Sequence, residues 1–135
     1  MKKIYRLIIL CLGLFSLAIF TGCDDEPADI NHTYEGYSIL GTWDWEYTAT
    51  NGVQGPVPAG YSMEITFTKY GTWNSTWESI ESGRGFSKGS FSLEGNVISL
   101  IQEETNYWAI ISLDDSRLHI RWNADKGIDR IFIKD

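Results

Sequence analysis

The chain has 135 residues, 18 acidic against 11 basic side chains, a formal net charge of −7 and two cysteines. All of the acids follow Cys23, whereas Lys2, Lys3 and Arg6 precede it, so the part beyond Cys23 is more acidic than the whole. That balance excludes nucleic acid and anionic lipid headgroups as natural partners, because both demand a basic surface.

Lys2, Lys3 and Arg6 form a positive head, residues 8–20 form an apolar run, and the run ends in Thr21-Gly22-Cys23. A basic head, a short apolar stretch and small residues at the cut are the layout of a secretory signal. The apolar part is short for a permanent membrane span. The ending resembles the lipobox of bacterial lipoproteins, although Phe20 stands where an aliphatic residue is usual. The resemblance implies removal of residues 1–22 and lipidation of Cys23, with a diacylglyceryl group on sulfur and a further acyl group on the new amino terminus. More than one acyl chain suffices for durable anchoring without a membrane-spanning helix. Asp24-Asp25-Glu26 follow at once and resemble the export signal of Bacteroidetes-type surface lipoproteins. The implied location is the outer membrane, facing outside the cell; a solvated acidic spacer is the alternative reading. Cys11 leaves with the signal, so the mature domain has no thiol for catalysis or for a disulfide and must be held by its core.

Residues 23–38 contain Pro27, several acids and no sustained period, and read as the lipidated Cys followed by a flexible tether. Residues 39–135 then change to short alternating runs. Trp43, Trp45 and Tyr47 alternate with Asp44, Glu46 and Thr48, which predicts a strand with one aromatic face. Residues 50–60 hold three glycines and two prolines, and read as a long loop. Tyr61, Met63, Ile65 and Phe67 form the inward face of the next strand, and Trp73, Ser75 and Trp77 that of the third. A fourth strand covers 86–93, with Phe91 and Leu93 inward, and Glu94-Gly95-Asn96 turns it into 97–102. Strands over 107–113, 118–122 and 128–134 follow, separated by Asp114-Asp115-Ser116 and by a turn over 123–127. The expected fold is all-β: a compact eight-stranded antiparallel up-and-down barrel, since eight strands can close and remove every exposed edge.

Leu40-Gly41-Thr42-Trp43 resembles the Gly-x-Trp signature of the lipocalin superfamily. Ile65-Thr66-Phe67, Gly71-Thr72-Trp73 and Leu118-His119-Ile120 continue the cadence of the lipocalin-like domain of small Bacteroidetes-type lipoproteins. The resemblance implies that Gly41 and Trp43 close one barrel end, with an Arg packed across the indole: Arg130 by position, Arg121 as its competitor. It also implies a small apolar or aromatic ligand entering at the other end, where Trp45, Met63, Phe67, Trp73 and Trp77 are the candidate lining and residues 50–60 the rim. The alternative is an interior filled by these rings, in a module that docks an envelope protein or a glycan.

Other chemistry finds little footing. In the stretch 83–90 Lys88 precedes Gly89, and no helix follows to cradle a phosphate, so its glycines read as places where strands bend or bulge. Asn123, Asp125, Gly127 and Asp129 read as a hairpin turn, not a calcium loop. His32 and His119 lie in different settings, and the doublets Glu103-Glu104 and Asp114-Asp115 are neighbours on strands or turns, where adjacent strand side chains face opposite ways, so neither reads as a convergent acid pair. No catalytic residue, metal or cofactor is expected.

Overall fold

A computed structural model describes residues 30–122 and 127–135. The signal segment, Cys23, the acidic run and the turn residues 123–126 lie outside the described residues. Eleven strands run in order: β1 (Thr33–Tyr34), β2 (Tyr37–Ser38), β3 (Gly41–Thr50), β4 (Val53–Pro56), β5 (Ser62–Phe67), β6 (Thr72–Ser79), β7 (Gly83–Glu94), β8 (Val97–Ile101), β9 (Asn106–Leu113), β10 (Arg117–Trp122) and β11 (Ile128–Lys134). β3 and β5 to β11 pair antiparallel in chain order, and β11 returns to pair with β3. The result is the closed eight-stranded barrel that the alternation predicted, and the short β4 pairs with the end of β3 where β5 has diverged from it.

Three local departures have physical causes. The expected loop over 50–60 contains β4, which folds back on the end of β3 through Asn51-Gly52, both at positive φ (51° and 81°). Asn-Gly is the pair that a two-residue hairpin turn of this hand demands. Tyr47 leaves the aromatic face shared by Trp43 and Trp45. The register runs Phe132 to Trp45 but Ile131 to Tyr47, so Glu46 is an extra residue in β3. Such a bulge reverses which side chains point inward beyond it, and Tyr47 is exposed. The third concerns the tether expected through residue 38. Residues 33–38 form the β1–β2 hairpin, and Ile30, Tyr34 and Ile39 pack on the barrel core.

That hairpin stoppers one end. Asn31 Nδ2 donates to the Leu93 carbonyl at 2.9 Å, and Ile39 N donates to the His32 carbonyl at 2.8 Å. Trp43, fully buried, donates its indole N–H to the Ile39 carbonyl at 2.8 Å. Above it Phe67 meets Phe91 and Trp108 edge to face, with centroids 5.2 and 6.4 Å apart, while Trp108 stacks on Phe132 at 5.3 Å. Such rings bury large apolar areas and gain further from these contacts. The half of the barrel next to the stopper is solid.

Candidate functional site

The other half is not. A cup of about 360 Å³ opens at the end away from Trp43, walled by Trp45, Trp77, Trp122, Met63 and Arg130 and floored by Trp73, Ser75, Leu100 and Trp108. Its volume is set by what the sequence leaves small. On the inner wall of β6 and β7, Ser75 faces Ser87, Trp77 faces Gly85 and Trp73 faces Gly89. A Cβ at position 85 would overlap the Trp77 ring, and one at 89 would overlap the Ile101 carbonyl oxygen and crowd Trp73 Nε1. Gly85 therefore lets the Trp77 ring lie against the neighbouring strand, and Gly89 lets the Ile101 carbonyl and the Trp73 indole approach closely.

Four of the five residues expected to line a ligand site, Trp45, Met63, Trp73 and Trp77, do line the cup. Phe67 does not. It pairs across from Gly41, in the same layer as the start of β3, and is buried in the solid half. Trp43 and Gly41 sit at the stoppered end, but Arg130 is not with them. β11 places Lys134 opposite Trp43, and it is the Lys134 ammonium that lies 5.3 Å from that ring. Arg130 lies four residues up the strand, opposite Thr48, so its side chain enters the cup. Its guanidinium is sandwiched between Trp45 and Trp122, at 4.3 and 4.7 Å from the ring centroids, with Met63 Sδ at 3.7 Å. Cation and indoles hold one another by the quadrupole of the rings, and so the mouth is braced. Arg121, the competitor, lies on the outer face.

Alternation alone does not assign the inward face of Trp108; in the structure it and Trp122 are cross-strand partners that both line the cup. For Trp122 the signal is present, because it is in phase with Leu118 and Ile120. At the rim, Tyr61 donates its hydroxyl to Glu81 at 3.0 Å, and Ile80 lies over Gly60. This clasp joins the loop before β5 to the loop after β6.

The wall has a thin place. β3 pairs with β5 only through Gly41–Asp44 and then diverges to β4. Outside that gap lies an open groove of about 510 Å³, which shares Trp45, Met63 and Trp77 with the cup and carries Asp44, Glu46, Glu64, Glu78 and Arg84. Beside it, oxygens of Asp44, Glu64 and Asp135 gather within 4.8 Å of one another. Burial, and then the charges of Asp135 and Glu64, push the Asp44 carboxyl up to about 6. Glu64 and Asp135 are exposed to water, where acids commonly cluster without an ion.

His119 stands on the opposite, outer wall. Its Nε2 lies 2.9 Å from Asp129 Oδ2, and Arg121 Nε donates to Asp129 Oδ1 at 2.8 Å. Burial alone would raise the Asp129 pKa, but the Arg121 and His119 hydrogen bonds outweigh it and hold the carboxyl below its usual value. Among the described residues His119 is bonded to the Asp129 carboxylate rather than to a hydroxyl, and it does not line the cup.

A family model described as a lipocalin-like domain matches residues 39–120. Among solved structures, a lipocalin-like protein from Bacteroides uniformis is similar over 72% of this chain and 98% of its own, at 20% identity and a TM-score of 0.55. An uncharacterized protein from Bacteroides eggerthii is similar over 71% of this chain and 98% of its own, at 13% identity and a TM-score of 0.52. At these identities the likeness concerns the fold. A comparison with curated proteins returned no match.

Proposed function

Since this chain belongs to the lipocalin-like domain family, we propose that it is a non-catalytic, lipid-anchored envelope protein whose barrel binds a small, largely apolar or aromatic molecule in the open cup. The observation that carries the proposal is the cup itself: about 360 Å³, open to solvent, with five of the six tryptophans of the chain on its surface. That volume lies in the range of small-molecule sites, which are mostly apolar with a few placed polar groups. Attachment rests on the sequence, through Cys23 and the segment before it, and the acidic run after Cys23 supports a place on the outer membrane facing outward.

A neutral naphthylamine dye, titrated while tryptophan emission is followed, tests the binding. Saturable energy transfer from the indoles to the dye is expected, and its absence at dye concentrations up to the solubility limit would retire the carrier reading. Mass measurement of the membrane-extracted protein tests the anchor, with acylated mass expected on the wild type and none on Cys23→Ser. A module that docks an envelope protein or a glycan through a solid barrel has less support, because only the stoppered half is solid.

A further inference from the structure

The indole N–H groups of this barrel are mostly spent inside the protein. Trp43 donates to the Ile39 carbonyl, Trp45 to the Tyr47 carbonyl, Trp77 to Ser87 Oγ and Trp122 to Asn106 Oδ1. Trp73 breaks the habit. Its Nε1 and the Oγ of Ser75 are buried with no hydrogen-bond partner among the described residues. Both residues are more than nine-tenths buried, and both line the floor of the cup. They stand two places apart on β6, so they share one face of the strand. A buried polar group without a partner has lost its hydration with nothing in exchange, and one in a native fold calls for an explanation. Two such groups in adjacent inward positions, at the bottom of the one half of the barrel that is open, point to a ligand group.

The chemistry of that group follows from its surroundings. An indole N–H can only donate, and a serine hydroxyl turns to donate or accept, so the complement is an oxygen acceptor. The floor otherwise carries Leu100, Trp108 and the indole of Trp73, with Ser87, bonded to the Trp77 indole, across from Ser75 and no cation in that layer among the described residues. Arg130 is held higher, between Trp45 and Trp122. An anion would therefore lose its hydration at the floor without a charge to replace it. An uncharged carbonyl or hydroxyl oxygen loses far less. We propose that the cup takes a flat, largely apolar molecule that enters oxygen first, its terminal carbonyl or hydroxyl bonded to Trp73 Nε1 and Ser75 Oγ and its body against Trp77 and Trp108. This rests on the cup being a ligand site.

The test uses 2-naphthol and 2-methylnaphthalene, which share shape and differ in an oxygen. Each is titrated by calorimetry into the wild type, Ser75→Ala and Trp73→Phe. The expected result is that either substitution weakens 2-naphthol five- to tenfold and leaves 2-methylnaphthalene within twofold. Ser75→Ala removes only an oxygen from a packed site, so it keeps the test valid should Trp73→Phe unfold. Equal effects on the two compounds, or none on either, would overturn the oxygen-first orientation while leaving the cup as a binding site. Tighter binding of 2-naphthoate than of 2-naphthol, lost in Arg130→Gln and kept in Ser75→Ala, would also overturn it by moving the recognised group to the guanidinium. If the wild type binds none of the three, the cup reading falls, and this orientation falls with it.

Discussion

The two halves of the barrel are made of the same eight strands and much the same residue types, yet one is solid and the other hollow. Near the stopper, the inward positions are bulky: Trp43, Phe67, Phe91, Leu93, Ile98, Ile110, Leu118 and Phe132 join one buried cluster. Toward the mouth, each bulky ring of β6 faces a glycine and Ser75 faces a serine, so large residues on one strand are not met by large ones on the next. A cavity in a barrel of this width is thus a matter of which cross-strand pairs are large–small and which are large–large. The polar bonding differs as well. The stoppered end satisfies its indole and amide groups internally, whereas the hollow end leaves Trp73 and Ser75 without partners at its floor.

Substitutions that break this contrast should differ in kind. Trp43→Ala in the solid half is expected to cost about 3–5 kcal/mol of stability, read by urea unfolding, because the ring is fully enclosed and its neighbours cannot collapse onto the gap. Gly85→Ala comes next, at about 1–3 kcal/mol from overpacking. The new methyl must push the Trp77 ring into the cup, so dye affinity should fall together with stability. Trp77→Ala reverses the balance: it removes a half-buried wall residue, costs roughly 1 kcal/mol, and lowers dye affinity at least tenfold. Arg130→Gln should cost about 0.5–1 kcal/mol through loss of the cation between two indoles, with a faster off-rate as the brace at the mouth loosens.

The last effect is set by pH and lies on the outer face of β3, at Asp44. Its carboxyl, held at about 6 in the fold against an ordinary 3.8, binds a proton more tightly when folded. The stabilisation is therefore fully present below about pH 4 and is lost as pH rises through 6. Asp44→Asn should raise Tm at pH 8 and leave it unchanged near pH 4. An equal shift at both values would contradict the charge crowding with Glu64 and Asp135.

Much of this architecture is legible in the sequence, for reasons tied to period. Alternation of Tyr61, Met63, Ile65 and Phe67 or of Trp73, Ser75 and Trp77 reports which side chains share a face, and that phase is a property of one strand alone. Strand count and turns follow from the same runs and from Glu94-Gly95-Asn96 and Asp114-Asp115-Ser116. What alternation does not carry is height along the barrel, which depends on the stagger between strands. That is why Phe67 lies in the solid half though it is in phase with Met63, and why Lys134, not Arg130, meets Trp43. The bulge at Glu46 sends Tyr47 outward and leaves no mark in the alternation. The β1–β2 hairpin is equally hidden, because two-residue strands are shorter than any period.

The most direct test of the division into a solid and a hollow half is a crystal of the protein soaked with a bromonaphthalene and measured at the bromine edge. The account predicts one anomalous peak, in the cup between Trp77 and Trp108 and above Ser75. Bromine found only on the outer wall, with the cup closed by inward movement of Trp45 and Trp77, would contradict it.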